Sequence, residues 1–234
     1  MDNLETILRK KAYDLIDGPI RNHQPLQLWL KRNMDKVEIY QSHITHAFKS
    51  EVPITKNETI ALSVDSTQSM EFNFNIGLTV LDKILKSLGM GMLELSSKIT
   101  KGKSLSISYD NSVCTEYMPA DIESFLSSCD FVHPNASLMD NLNDNDVLIL
   151  SGVLAAKNLK VKIETELASD TKLKAELTNV ANANLDFSYS GNSTIVMNAV
   201  VNIPMPIAVK AHRLQFHKGK FVDIKLITDT RRFF

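Results

Sequence analysis

The sequence predicts an α+β fold: a central twisted sheet, antiparallel or mixed, with amphipathic hairpins, peripheral helices and an N-terminal helical arm. Three observations lead there. From Lys157 to Leu167 the chain alternates strictly, with Leu159, Val161, Ile163 and Leu167 apolar and Lys160, Lys162, Glu164 and Glu166 charged, the period-two signature of a strand with one dry and one wet side. A second alternation, Met70, Phe72, Phe74 and Ile76 against Glu71, Asn73 and Asn75, and the wholly apolar Val147–Leu150 add further strands, the latter of the kind found at the centre of a sheet. Before them, apolar residues recur at helical spacing through the first fifty positions.

In chain order, Leu4, Ile7, Leu8, Leu15 and Ile16 outline a first helix stopped by Gly18-Pro19, with Asp2 or Asn3 as its cap. Pro25 opens a second at Leu26–Leu30. A third runs from about Met34 to Phe48 with Val37, Tyr40, Ile44, Ala47 and Phe48 on one stripe. These make residues 1–52 a helical arm or cap on an α+β unit over 53–234. Strands follow at Ile60–Val64 and Met70–Ile76. Gly77 leads into a helix with Leu78, Leu81, Ile84, Leu85 and Leu88 inward and Gly89 beyond its end.

Strands are next expected at Met92–Ile99 and Ser104–Tyr109, then helices at Pro119–Cys129 and Pro134–Leu142. The strand Lys157–Leu167 turns at Ala168-Ser169-Asp170 into a partner strand running from Thr171 through Tyr189. Strands Thr194–Ile203, ended by Pro204-Met205-Pro206, and Ala208–Phe216 precede a turn at Lys218-Gly219-Lys220 and a last strand Phe221–Ile227.

A length of 234 residues with 44% hydrophobic composition supports a real core. With 26 basic against 27 acidic side chains, net −1, nucleic acid is not an expected partner. Cys114 and Cys129 have no CxxC spacing and read as reduced thiols. There is no signal-peptide pattern, no run of about 18 apolar residues and no myristoylation site, so the expectation is a cytoplasmic protein.

Catalytic chemistry finds no foothold: GxSxG, P-loop, GxGxxG and HExxH motifs are all missing. His43-x-x-His46 is a pair where zinc wants three or four ligands, and reads as two partly exposed helix histidines. His133, His212 and His217 read as turn or surface residues. The turn Asn141–Asp146 lacks the glycine and closing glutamate of a calcium loop. Neither an enzyme activity, a cofactor nor a metal is expected.

The amphipathic strands therefore carry the functional question. They are either an ordinary sheet packed on helices or strands able to cross a bilayer. A spanning strand needs about 9–11 alternating residues, a length that Lys157–Leu167 reaches. One hairpin alone would leave its edges unpaired in lipid, so spanning requires closure into an oligomeric barrel.

From about Ile60 to Asp223 the order of features resembles the gasdermin pore-forming domain, its bacterial members above all. The resemblance rests on Met70–Gly77 running into Leu78–Leu85, the strand Ser104–Tyr109, Pro119–Leu126 before Asn143–Leu150, Val153–Val161, and Phe187–Gly191 leading into a strand. It implies a non-enzymatic effector of bacterial antiviral defence, stored as a monomer and released by an activating protease that removes an inhibitory tail. It then binds lipid at the inner face of the plasma membrane and self-associates into β-barrel pores that kill the cell.

By position the two inserting hairpins are Met92–Tyr109 and Lys157–Tyr189. Membrane-facing residues are then Leu159, Val161, Ile163, Leu167, Leu173, Leu185 and Phe187, and headgroup contacts Lys157, Lys160, Lys162, Lys172 and Lys174. The chain departs from the family pattern in three places: no cysteine precedes Cys114, the opening is helical in texture, and the last strand runs on to Arg231-Arg232-Phe233-Phe234 with no separate tail. The alternative reading is a soluble interaction module, an inhibitor or immunity partner, that never enters a membrane.

Overall fold

A computed structural model describes residues 8–16, 23–32, 37–60, 70–72, 78, 81–82, 95–99, 101–181 and 184–227. After one helical turn at 8–10, the elements are β1 (Asp14–Leu15), β2 (Leu28–Leu30), β3 (Glu38–Gln41), β4 (Phe48–Lys49), β5 (Lys56–Ile60) and β6 (Met70–Phe72). They continue with α1 (Leu95–Lys98), β7 (Ser104–Tyr117), α2 (Pro119–Ser127), β8 (Asp130–Phe131) and α3 (Ala136–Asn143). The last described elements are β9 (Val147–Glu164), α4 (Thr171–Val180), β10 (Leu185–Ser190), β11 (Thr194–His217) and β12 (Lys220–Leu226). This is the expected α+β class. Among the described residues every strand pairing is antiparallel.

Three long strands set the frame. β9 lies between β7 and β11 along most of its length. β11's other edge is taken in pieces by β10, β1 and β12. The apolar start of β9 is dry on both sides, as expected for a central strand. Val147 and Ile149 enter a core with Leu28, Leu30, Phe48, Ile122, Phe125, Leu142 and Leu214, while Leu148 and Leu150 enter another with Trp29, Val209 and Ala211. α2 is held by Ile122, Phe125 and Leu126, the inward residues its spacing predicts. α3 is capped by Asn135, whose side chain accepts from the Leu138 N–H at 2.9 Å. Lys218 and Gly219 both have positive φ, +50° and +74°, the tight hairpin turn whose twist matches its strands.

The N-terminal helical arm is corrected. Leu28–Leu30 is a buried strand bonded to β3 on one side and to Val147–Ile149 on the other. Residues 38–49 form β3, a 3-10 turn at Ile44–His46 and β4. A short apolar run fits a buried helix or strand equally well by spacing, and here the sheet satisfies the backbone. Of the first helix, residues 8–10 are helical and 1–7 lie outside the described residues.

Three strand assignments also change. Leu95–Lys98 is helical, with Leu95 and Ile99 buried one turn apart. Thr171–Val180 is α4. Thr194–His217 is one strand, in which Pro204 and Pro206 sit at register shifts without ending it. Residues 61–64, 73–77 and 92–94, and most of the helix expected after Gly77, lie outside the described residues.

Candidate functional site

Across β10, β11, β9 and β7 the register lays side chains in straight rows. Phe187, Met197, Val161 and Ile107 form one row. Leu185, Ala199, Leu159 and Tyr109 form a second, and Tyr189, Ile195, Ile163 and Leu105 a third. Because side chains alternate in a strand, the intervening positions make the opposite face, where Lys160, Lys162, Asp186, Ser188 and Ser190 are exposed. The result is a wide ribbon, apolar on one side and polar on the other.

The apolar side is covered. Leu159, Val161 and Ile163 share one core with Leu8, Tyr13, Leu78, Leu81, Leu95, Ile99, Ala168, Leu173 and Leu177. Among the described residues the cover is thus short helical pieces, chiefly α1 and α4. α4 has local causes. Asp170 caps it, its Oδ1 accepting from the N–H groups of Lys172 (2.8 Å) and Leu173 (3.0 Å). Leu173 and Leu177, one turn apart, both point into the core.

The seven candidate membrane-facing residues are brought together: Leu159, Val161, Ile163, Leu173 and Leu185 are buried in this core, with Leu167 and Phe187 half-buried against it. Leu173 belongs to the helical cover and not to the ribbon. The candidate headgroup lysines are spread over more than one surface. Lys160 and Lys162 are exposed on the polar side, Lys162 pairing with Glu164 at 2.9 Å. Lys157 has the parity of Leu159 and is half-buried. Lys172 and Lys174 ride on α4, Lys174 over the Tyr189 ring at 5.0 Å.

The expected histidine pair sits on a 3-10 turn and not on an α-helix. His43 caps that turn, and its ring lies 6.5 Å from that of His46. Burial first, and the neighbouring His46 second, lower the His43 pKa. His46 and His133 line a cleft of about 410 Å³ with Tyr40, Thr45, Asn135 and Leu138. His212 is buried and not on the surface as its sequence context suggested; burial, then the charge of Lys210, lower its pKa to about 4. Cys114 and Cys129 are free thiols, and burial raises Cys129 to about 11. Among the described residues no three His, Cys, Asp or Glu side chains gather to hold a metal, and no helix is long and apolar enough to cross a membrane.

Sequence reasoning missed one cluster. Glu116 of β7, Gly152 of β9 and Lys210 of β11 are in register, side by side across three strands. The Tyr13 hydroxyl donates to Glu116 Oε1 at 2.6 Å and lies 2.9 Å from Cys114 Sγ. Lys210 Nζ donates to the same Glu116 oxygen at 2.6 Å and stands 5.0 Å over the Tyr13 ring. Burial opposes ionisation of Glu116, but the bonds from Lys210 and Tyr13 and the charge of Lys210 outweigh it and hold the carboxyl below its ordinary value. Burial, with the bonds to Cys114 and Glu116, pushes the Tyr13 phenol up.

Long antiparallel strands forming an amphipathic ribbon under small helices define the class of protein: a sheet protein whose one large apolar face is roofed by separate short elements. The model of the Bacterial Gasdermin Family matches residues 16–220, and the chain belongs to that family. A relative named Gasdermin bGSDM from Gillisia limnaea is 23% identical over 222 residues, covering 93% of this chain and 83% of that protein. Another of the same name, from a Desulfuromonadales bacterium, is 20% identical over 229 residues, covering 96% and 85%. A solved structure of a bacterial gasdermin from Bradyrhizobium tropiciagri superposes with a TM-score of 0.61 over 94% of this chain and 89% of that one, at 13% identity, and so shares the fold.

Proposed function

We propose that this protein is a pore-forming effector, stored with its ribbon covered and triggered to exchange that cover for lipid. The observation that carries the reading is the roof itself. Among the described residues, the apolar rows of β7, β9, β10 and β11 face small helices and no second sheet, a cover that a trigger could remove piece by piece. In this reading Leu159, Val161, Ile163, Leu185 and Phe187 meet acyl chains, with Leu167 and Leu173 joining once the turn before α4 and the first residues of α4 become strand, while the rest of α4, with Leu177, becomes the hairpin tip outside the hydrocarbon. Lys160 and Lys162 line the water-filled side, and Lys157, Lys172 and Lys174 contact acidic headgroups.

Length allows it. Strands rise about 3.3 Å per residue, so roughly 11 residues tilted in the usual way cover a hydrocarbon core of about 30 Å, and β9 has 18 residues and β11 24. The strand edges require closure through self-association, since unpaired backbone in lipid costs several kcal/mol per group. Storage in the cytoplasm, a protease as trigger, the inner membrane face as target and cell death in antiviral defence complete the proposal. No enzymatic step is part of it.

The test is dye release from phosphatidylcholine vesicles with and without phosphatidylserine, before and after limited proteolysis, with negative-stain imaging. Release that needs acidic lipid and is accompanied by rings is expected. A monomer that leaves vesicles sealed after every cleavage would overturn the proposal.

A further inference from the structure

Residues 8–16 are tied to the ribbon far more firmly than a peripheral terminus needs. A helical turn closes with Lys11 and Tyr13 N–H groups donating to the Leu8 carbonyl, both at 2.9 Å. Ala12 reverses the chain at φ +62°. β1 then pairs with β11 at Val209 and Ala208, and the Ile16 N–H donates to the Ile207 carbonyl at 3.0 Å. Leu8 and Tyr13 are 2% and 6% exposed in the same core as Val161 and Ile163.

The fastening point is a notch. In the row Glu116–Gly152–Lys210 the middle strand contributes no side chain, and the Tyr13 hydroxyl occupies the gap. A Cβ at Gly152 would lie 2.7 Å from that hydroxyl, closer than such atoms approach, and 3.2 Å and 3.3 Å from Glu116 and Lys210 atoms. One tyrosine thereby engages β7 and β11 across the absent side chain of β9.

We propose that residues 8–16 are an autoinhibitory strap, seated in the Gly152 notch and fastened by Tyr13 to Glu116 and Lys210, that must withdraw before the ribbon opens. The proposal rests on the pore-forming reading. It assigns the restraint to a segment that bridges three strands at the level where the ribbon joins the rest of the fold.

Cys114 reports the strap's position, because its Sγ lies against the Tyr13 hydroxyl. Tyr13→Phe keeps the ring and removes the bonds, and Gly152→Ala fills the notch with the tyrosine intact. In the full-length protein, both variants are expected to raise the rate of Cys114 labelling by a thiol reagent roughly tenfold, as loss of a hydrogen bond to a charged group predicts. Cys129 labelling stays constant as the internal reference. Both are also expected to speed dye release from phosphatidylserine-containing vesicles. In a separate arm, Leu15→Cys with Ala208→Cys, partners in the β1–β11 register, staples the strap down. Release is expected to stop when that pair is oxidised and return on reduction.

Unchanged Cys114 labelling in both variants overturns the strap and leaves the pore reading standing. An oxidised staple that leaks as fast as the reduced form overturns the inhibitory role. Fast labelling with vesicles sealed under all conditions overturns the pore reading, and the inhibitory role with it.

Discussion

Replacing Leu177 by alanine separates a removable roof from a fixed core. Leu177 is 1% exposed on α4 and packs onto the apolar side of the ribbon. Alanine is the best helix former, so α4 itself is not weakened; what is lost is packing, about 3 kcal/mol for a leucine buried this way. If α4 leaves the ribbon on activation, that loss falls on the closed form alone. Opening then becomes more favourable by the same amount, on the order of a hundredfold in rate or population. Val161→Ala is the matched control. Val161 is fully buried in the ribbon, and its two methyl groups are worth roughly 2 kcal/mol, but they stay in an apolar medium before and after insertion. Urea unfolding should therefore show both variants destabilised, while vesicle leakage rises only for Leu177→Ala. Equal destabilisation with leakage unchanged in both would refute the idea that α4 is a separable cover.

Asp170→Ala removes both bonds that start α4 and should cost about 1 kcal/mol in urea unfolding, with leakage shifted in the same direction as for Leu177→Ala. Lys172→Glu with Lys174→Glu should weaken binding to acidic vesicles by several-fold per site in a sedimentation assay, since each lysine near such a surface contributes about 1 kcal/mol, while Lys160→Glu with Lys162→Glu, on the water-filled side, should leave binding and stability nearly level because the exposed Lys162–Glu164 pair is worth little. Stability should also fall on acidification in two stages. His212, lowered to about 4 in the folded protein, takes up its proton more readily when unfolded, so its contribution is complete above about pH 6.5 and declines toward pH 4. Glu116, lowered by its partners, contributes above its ordinary value of 4.5 and loses that contribution as pH falls through its folded value. Melting temperatures of His212→Gln and Glu116→Gln across pH 3–8 should each flatten one of these stages.

The ribbon was legible because alternation is local: Leu159, Val161 and Ile163 announce a strand whatever they pack against. The same locality misled at Thr171–Val180. Leu173 and Leu177 fit a strand at every second residue and a helix one turn apart, and the capping by Asp170 decides between them. Leu28–Leu30 carries no periodic signal of its own; pairing with Val147–Ile149, far along the chain, makes it a strand. His212 looked like surface because burial there is imposed by neighbouring strands. The Tyr13 cluster was beyond reach for the same reason: its members are separated by about a hundred residues, and nothing around Tyr13, Glu116 or Lys210 marks them as partners. Even Gly152 reads as an ordinary glycine until the register sets it between a carboxylate and an ammonium.

Pro204 and Pro206, midway along β11, have a consequence for storage at high concentration. A strand of 24 residues rich in valine, isoleucine and alanine is the kind of sequence that seeds fibrous stacking when molecules meet by accident. Neither proline has an N–H to offer a stranger, and the register slips on both sides of them, so the straight template is broken into shorter lengths. Substituting both by valine should leave a chain that still folds but clumps on standing.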